Sequence, residues 1–169
     1  GETPATSGSS TSAAEGEFKD TLIFAPNTDI QNIDPQVQND TTSEQVVRMV
    51  FNGLLKFDES KDGEIVGDLA ESWEASEDGL TWTFKLKPGV KFHGGQDLTS
   101  ADVVATFERR NAVDAGALRS SEIMKPISKV EAVDDLTVVI TTEEPYGPME
   151  ALLCNLTTAI MCKETIETY

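Results

Sequence analysis

Residues 82–104 read WTFKLKPGVKFHGGQDLTSADVV, and this stretch decides the fold. The residues from Trp82 to Leu86 alternate between apolar and polar side chains, which predicts a strand that is buried on one face. Pro88-Gly89 then predicts a tight turn into a second short strand at residues 90–92. The first half of the stretch therefore predicts two short strands joined by a turn.

The second half predicts a capped helix. Thr99 is a helix-capping residue type, and Asp102, three residues later, has the spacing to reach back to the backbone N–H of the cap. Val103, Val104 and Phe107 follow at helical spacing and supply an apolar face. The whole unit is a strand, a turn, a strand, a glycine-rich loop and a helix.

This order of residues, preceded by DLAESW at 68–73 and SEDGLT at 76–81, resembles the signature of the family 5 extracellular solute-binding proteins. These proteins are the peptide- and nickel-type substrate-binding components of ABC importers. The resemblance extends more loosely from Thr21 to the end of the chain. It implies an α+β fold: the N-terminal subdomain of the first lobe of a two-lobed, class II-like periplasmic binding protein. The sheet is expected to be mixed but mainly antiparallel, with flanking helices.

The chain has 169 residues, enough for one sizeable core, whereas members of the family that it resembles are roughly three times longer. The resemblance therefore implies an N-terminal fragment without the second lobe. We expect a disordered tether at 1–20, the first strand and cleft loop of the large subdomain at 21–40, the small N-terminal subdomain at 41–162, and the start of a truncated helix at 163–169.

The first 19 residues are small, polar and almost free of apolar groups, so they have little apolar surface to offset the entropy of ordering. By resemblance they look like the spacer of a mature lipoprotein whose signal and lipidated Cys are missing. A cloning remnant or an ordinary disordered terminus is the alternative. The lipoprotein interpretation implies an extracytoplasmic location, in the periplasm or at the cell surface, with a lipid anchor.

Thirteen basic and thirty acidic residues give a formal charge of −17, which repels phosphate backbones and anionic lipids. Nucleic acid is therefore not an expected partner. No run of 18 apolar residues exists to span a bilayer, so the membrane is expected to matter only through a lipid anchor. The expected partners are a peptide or other small solute and, by resemblance, the permease subunits of an ABC transporter. No cofactor is expected.

Between the tether and the signature, the sequence predicts one helix and two hairpins. Thr41 and Glu44 have capping-box spacing, which predicts a helix over 42–52 ended by a glycine. Strands are expected at 54–57 and 65–66, with a helical turn at 68–71 and a hairpin turn at 76–79. The four aromatic residues expected at the centre of the subdomain are Trp73, Trp82, Phe84 and Phe92.

After the signature helix, residues 111–125 predict a loop with one short helix. The clearest hairpin pairs 127–133 with 136–142. We expect a helix over the apolar residues 149–156, a last short strand at 158–161 and a helix from Lys163. Cys154 and Cys162 have a spacing compatible with a disulfide or with two free thiols; we expect two buried free thiols.

The polar loop that follows the first strand, with the motif IDP at 33–35 and NDT at 39–41, resembles the segment that leads to the interlobe cleft. Together with an isolated arginine and a later threonine, it supplies the candidate ligand-binding residues: Asn27, Thr28, Asn39, Thr41, Arg119 and Thr158. For each polar residue of the loop the alternative is a turn or a helix cap, and for Arg119 it is a surface ion pair. The group that pairs with a peptide's α-amine would, by resemblance, lie in the missing lobe.

No catalytic or metal site is expected. His93, the only histidine, has no Cys, His or paired carboxylate at ligand spacing and is expected to be structural. The acidic residues fall in turns and on helix surfaces, so no set of acid, base and nucleophile converges. We therefore expect a protein that is not an enzyme.

Two functions remain open at this stage. The first is solute capture for an ABC importer, by closure of two lobes around the solute; the order of motifs looks most like the dipeptide and glutathione binders. The second is a surface interaction or signalling module that uses the same fold to present an acidic face to a protein. For residues 41–161 we expect a folded α+β unit with weak or no solute affinity.

Overall fold

The computed structural model of the chain describes residues 25–26, 28–111 and 119–168 and, at residues 119 and 120, the backbone alone. The predicted tether at 1–20 and most of the predicted first strand, residues 21–24, lie outside this part of the chain. The division of the chain into these domains therefore stays a prediction.

Within the described residues, six strands form a two-stranded ribbon and a four-stranded sheet. They are β1 (Leu55–Asp58), β2 (Glu64–Gly67), β3 (Ala70–Ala75), β4 (Thr81–Leu86), β5 (Ile127–Asp134) and β6 (Thr137–Thr142). β1 pairs with β2, and the larger sheet has the order β3-β4-β6-β5. Every one of these four strand pairs is antiparallel. The signature strand β4 is thus a central strand of the main sheet.

The core of the molecule is centred on Phe84 of β4. Phe84 is fully buried and lies opposite Trp73 on one neighbouring strand and Val138 on the other. Leu86 is also buried, which confirms the inward face predicted from the alternation. Of the four aromatic residues expected at the centre, Phe84 alone is fully buried; Trp73, Trp82 and Phe92 are partly buried and pack against the same apolar cluster. The aromatic centre is therefore one core phenylalanine surrounded by three partly exposed rings.

The part of the chain that the structure describes also contains five α-helices. They are α1 (Thr41–Val50), α2 (Ser100–Glu108), α3 (Arg119–Ile123), α4 (Met149–Leu153) and α5 (Lys163–Thr168). The predicted cap of α2 is confirmed, because the backbone N–H of Thr99 donates to Asp102 Oδ2 at 2.9 Å. α2 packs against β5 and β6 through Val103 and Phe107, both buried in the main core.

The predicted cap of α1 is wrong by one residue. Asp40, not Thr41, is the cap: its backbone is extended (φ −120°, ψ 151°) and its carboxylate accepts the N–H of Ser43 at 2.9 Å. Hydrogen bonds from the Ser43 side chain and backbone hold the pKa of Asp40 below its ordinary value. Glu44 instead pairs with Arg48, one turn later, at 2.6 Å. The helix consequently runs over 41–50 and ends before the predicted glycine.

The strand predicted at 90–92 is reduced to a single bridge between Lys91 and Asp97. The chain reverses too tightly here for a longer pairing. Gly95 has a φ of 92°, and its N–H donates to the carbonyl of Phe92, while the N–H of Phe92 donates to the carbonyl of Gln96. Since only glycine adopts such a φ readily, the Gly94-Gly95 pair is explained by a tight turn.

Two further predictions are corrected. The helical turn expected at 68–71 is instead a connection into β3, held by N–H groups of Asp68 and Ala70 that both donate to the carbonyl of Leu54. The strand expected at 158–161 is absent from the pairings of the described residues: a 3-10 turn spans Leu156–Thr158, and Ile160 then makes one backbone bond to Asn52. A single bond of this kind holds the segment without making it part of a sheet.

Cys154 and Cys162 are both free thiols, as expected, but the expected burial is wrong, because each is partly exposed. Burial raises the pKa of the Cys154 thiol to about 11, with the negative charges of Glu150 and Asp68 adding to the effect. Within the described ranges, no helix is both long enough and apolar enough to cross a bilayer.

Candidate functional site

The described residues enclose a groove of about 530 Å³. It is bounded by the loop at 32–35, the end of α1 and the residues after it at 50–52, the signature loop between 90 and 98, and the last segment between 160 and 166. Leu69 and Arg109 complete the lining. The groove thus joins the signature loop to three segments that lie far from it in sequence.

The groove has apolar walls and polar groups among them. The apolar lining comes from all four segments and consists of Ile33, Pro35, Val50, Phe51, Leu69, Val90, Phe92, Leu98, Ile160, Met161 and Ile166. His93 and Lys91 are exposed lining residues, and Lys91 forms an ion pair with Asp97. An apolar cavity with a few polar groups is the usual character of a site that takes a small organic ligand.

The loop that forms one wall is folded around Asp34. The backbone N–H of Asp34 donates to Asn32 Oδ1 at 2.8 Å, and the Asp34 carboxylate accepts the N–H of Gln36 at 2.9 Å. The carbonyl of Asp34 accepts the N–H of Gln38, also at 2.9 Å. These are the short-range hydrogen bonds that aspartate and asparagine favour in turns, so the loop has a defined conformation despite its lack of regular secondary structure.

Arg109, at the end of α2, lines the groove and binds the loop that forms this wall. Its Nη2 donates to Asp34 Oδ2 at 2.6 Å and its Nη1 to Asp34 Oδ1 at 3.1 Å, so the guanidinium contacts both carboxylate oxygens. Each of the two side chains is 24% exposed. A two-bond contact between planar ions, partly withdrawn from water, is stronger and more specific in geometry than an exposed ion pair.

Gln36 completes the attachment of the loop to α2. It is fully buried, its Nε2 donates to the carbonyl of Thr106 at 2.8 Å, and its Oε1 accepts a hydrogen bond from Arg109 Nη1 at 3.0 Å. A buried amide without partners costs free energy, so these two contacts explain how a polar side chain is accommodated here.

The opposite wall is attached to the same helix. The hydroxyl of Thr106 donates to the carbonyl of Asp102 at 2.8 Å and accepts the N–H of Met161 at 3.0 Å. Asp102 Oδ1 accepts the N–H of Lys163 at 2.8 Å. One helix therefore holds both the loop at 34–36 and the segment at 161–163, and so fixes the distance between two walls of the groove.

The candidate residues predicted from the sequence lie elsewhere. Thr28 and Thr41 are exposed near the start of α1, where the Thr28 hydroxyl is hydrogen-bonded to that of Thr42 at an oxygen separation of 2.7 Å. Asn39 is exposed immediately before the α1 cap. The structure therefore brings three of the six to one end of α1, and none of these three lines the groove.

The other three candidates are separate from this group. Thr158 is 1% exposed, and its hydroxyl donates to the carbonyl of Asn155 at 2.7 Å. Asn27 and the side chain of Arg119 lie outside the described part of the chain; the backbone of Arg119 begins α3. Their role in ligand binding stays a prediction.

Sequence reasoning missed Arg109, Gln36 and His93 as lining or supporting residues of the groove. The IDP motif at 33–35 lies in a loop that lines the groove, but the partner of Asp34, Arg109 at the end of α2, is 75 positions away. Nothing in the local sequence distinguishes Arg109 from Arg110, which bonds to the carbonyls of Met124 and Ile127 instead. Such a pairing is visible only once the tertiary structure is known.

The match to a family model settles the classification. The model described as "Bacterial extracellular solute-binding proteins, family 5 Middle" matches residues 64–167, which is more than half of the chain. This chain belongs to the family 5 solute-binding proteins. The family assigned from the motifs around β4 and α2 is thereby confirmed.

Curated relatives support the same family. The chain is 41% identical over 129 residues to the glutathione-binding protein GsiB of Pectobacterium atrosepticum, a match covering 76% of this chain and 24% of the relative. To GsiB of Escherichia coli K12 it is 34% identical over 148 residues, covering 88% and 28%. The chain therefore spans about a quarter of the length of these relatives.

Solved structures give the same result for the fold. An oligopeptide ABC transporter substrate-binding domain from Bacillus anthracis superposes with a TM-score of 0.78 at 26% identity, covering 85% of this chain and 30% of that one. The binding protein MoaA of A. tumefaciens R10, solved with mannopinic acid, has a TM-score of 0.74 at 34% identity, covering 83% and 29%. These neighbours are two-lobed periplasmic binding proteins, which confirms the predicted α+β partial lobe.

Proposed function

We propose that this chain supplies part of the first lobe of the substrate-binding component of an ABC importer, which captures a peptide or similar small solute between two lobes. The observation that carries the proposal is the family match over residues 64–167, a region that includes the signature loop of the groove. In such a binding protein, hinge closure brings together contacts from two sides, so one lobe alone has only a fraction of the affinity.

The solute class rests on relatives and on the chemistry of the groove. Relatives of this chain are named for glutathione, oligopeptides and a murein tripeptide, and one is solved with mannopinic acid. All the named peptides combine amide groups with charged ends. The exposed Thr28, Asn39 and Thr41 would offer neutral hydrogen-bonding groups to such a solute, and the groove offers apolar surface with His93 among its lining.

Binding, rather than catalysis, is the proposed activity. The relatives are solute-binding proteins, and the groove's chemistry is that of recognition by shape and hydrogen bonds. We further propose an extracytoplasmic location, with residues 1–20 as the tether to a lipid anchor; their small, polar composition supports this role. The permease subunits of the transporter would be the macromolecular partner.

Calorimetric titration tests the proposal. The two-lobed protein that contains this sequence is titrated with reduced glutathione and with a panel of di- and tripeptides, and the 169-residue chain is titrated in parallel. We expect heat and saturable binding from the two-lobed protein and weak or no binding from the chain alone. Absence of binding to every solute, together with absence of any copurified ligand, would contradict the proposal. Capture of a macromolecule by the 169-residue chain without the second lobe would instead favour an interaction module.

A further inference from the structure

We infer that Arg109 is a positioning residue that holds the loop at 32–36 against α2 and thereby sets one wall of the groove. The role of that wall in solute binding rests on the proposed function, whereas the contacts of Arg109 with the loop are independent of it. Arg109 acts on the loop through its hydrogen bonds to the Asp34 carboxylate and the Gln36 side-chain amide.

Arg109 is suited to this role because it makes three hydrogen bonds to two residues of one loop. Two of them go to the Asp34 carboxylate and the third to the Gln36 amide oxygen. A guanidinium presents several N–H groups in a fixed plane, whereas an ammonium is a point charge on a flexible stem. Lysine at position 109 would therefore keep the charge and lose the simultaneous contact with both partners.

The loop has few other attachments that would replace this one. Its backbone N–H groups at Gln31 and Asn32 donate to the Ser43 hydroxyl, at 3.0 and 3.1 Å. That contact secures the start of the loop to α1, whereas Arg109 attaches the adjacent turn at Asp34–Gln36 to the end of α2. Without Arg109, the turn would be attached to α2 mainly through Gln36 and Thr106.

Arg110 provides a matched control. It is the next residue, it is also half-buried, and it also binds a separate segment, by donating to the carbonyls of Met124 and Ile127 at 2.6 and 2.5 Å. Arg109→Lys and Arg110→Lys make the same chemical change in adjacent positions. Only the first removes contacts with the groove wall.

Hydrogen exchange of the 169-residue chain gives the first readout. For Arg109→Lys we expect about tenfold faster exchange at the amides of residues 36–38, with unchanged exchange in β4 and β6, since a contact to a charged group is lost locally. For Arg110→Lys we expect faster exchange near Ile127 and unchanged exchange at the amides of residues 36–38. Unchanged exchange at 36–38 in Arg109→Lys, or an equal acceleration across the whole sheet, would overturn the positioning role.

Solute affinity gives the second readout. The two-lobed protein is titrated with reduced glutathione and the same peptides. We expect Arg109→Lys to raise Kd about tenfold and Arg110→Lys to leave Kd within about twofold of the wild-type value. Equal Kd values for Arg109→Lys and the wild type would overturn the link between the loop and the solute. If the wild type bound no solute, the proposed function would fail, while the exchange data would still report separately on the contact of Arg109 with the loop.

Discussion

The four-stranded sheet and the groove beside it are held together by different kinds of contact. In the sheet, fully buried apolar side chains such as Phe84, Val138 and Ile140 lie on strands joined by continuous backbone pairing. In the groove, single polar side chains such as Arg109 and Thr106 attach irregular segments to one helix.

The difference teaches where the molecule is rigid and where it is adjustable. Burial of apolar area contributes most of the free energy of folding, and it is shared by many residues of the sheet. The groove walls depend on a few directional bonds, each of which contributes on the order of 1–3 kcal/mol. A shift of one loop would therefore change the shape of the groove without loss of the core.

The largest effect is expected from removal of the central aromatic ring. Phe84→Ala would leave a cavity in a fully buried site and should lower the free energy of unfolding by about 3–5 kcal/mol, measured by urea denaturation. The control is Phe57→Ala, because Phe57 is 50% exposed on the ribbon; its cost should stay within about 0.5 kcal/mol. Equal losses for the two variants would remove the distinction between core and surface on which the comparison rests.

The sheet was largely predictable because its signals are local. The alternation from Trp82 to Leu86 and the hairpin at 127–142 give strand positions directly, and the residues between β5 and β6 form a short turn. Asp102 accepts the backbone N–H of the α2 cap residue, Thr99, at the expected spacing. In each case, the residues that form the pattern are also the residues that make the contact.

The groove was less predictable because its contacts join segments that are distant in the chain. Asp34 was part of a recognised motif, but its partner Arg109 has no signal in its own neighbourhood. At α1 the difficulty was competition between two adjacent capping residues, and the extended backbone at Asp40 decided in its favour over Thr41. The strand expected at 158–161 was a short apolar run whose pairing partners are not present among the described residues, so periodicity alone misassigned it.

The junction between the ribbon and the sheet is the next place to test the comparison. A Cβ at Gly67, the last residue of β2, would lie 2.2 Å from the backbone oxygen of Ala70. Because this neighbour is backbone, Gly67→Ala must displace the start of β3 and should cost about 1–3 kcal/mol in urea denaturation. Gly147→Ala, where the added carbon meets nothing within 4 Å, should be close to neutral. Indistinguishable midpoints for the two variants would show that the junction yields without cost.

A smaller effect is expected where a polar contact supports the sheet itself. Trp73 Nε1 donates to Glu150 Oε1 at 2.6 Å and so joins β3 to α4. Glu150→Gln keeps an acceptor but removes its charge, and should cost about 1 kcal/mol. The same change should lower the thiol pKa of Cys154 from about 11, because the Glu150 carboxylate contributes to that raised value.

The two readouts of Glu150→Gln are separable. Urea denaturation reports the lost contact, and a pH titration of thiolate absorbance in the Cys162→Ser background reports Cys154 alone. Glu143→Gln is the control, since Glu143 is exposed and lies in the turn before α4. A Cys154 pKa that stayed at about 11 in Glu150→Gln would show that burial and the Asp68 charge, without Glu150, account for the raised value.

The smallest effect is expected from acid titration of the three hairpin turns. Asp58, Asp78 and Asp134 each lie at such a turn and have a pKa below the ordinary value, chiefly through hydrogen bonds from the side chains of Ser60, Ser76 and Thr137 respectively. Since the unfolded chain binds protons more readily than these three native carboxylates, stability should be fully present above about pH 4 and fall as the pH drops below it.

Asparagine at these three positions keeps an acceptor for the turn hydrogen bonds and no longer titrates. The triple variant Asp58→Asn, Asp78→Asn, Asp134→Asn should therefore show a shallower decline of the urea midpoint below about pH 4 than the wild type. Glu77→Gln removes one charge from the turn that contains Asp78 without replacing any of these three carboxylates, and should leave the slope nearly unchanged. An identical acid slope in the triple variant and the wild type would mean that the hairpin turns contribute nothing to acid stability, and that the loss below pH 4 arises at carboxylates outside the hairpins, such as the α1 cap Asp40.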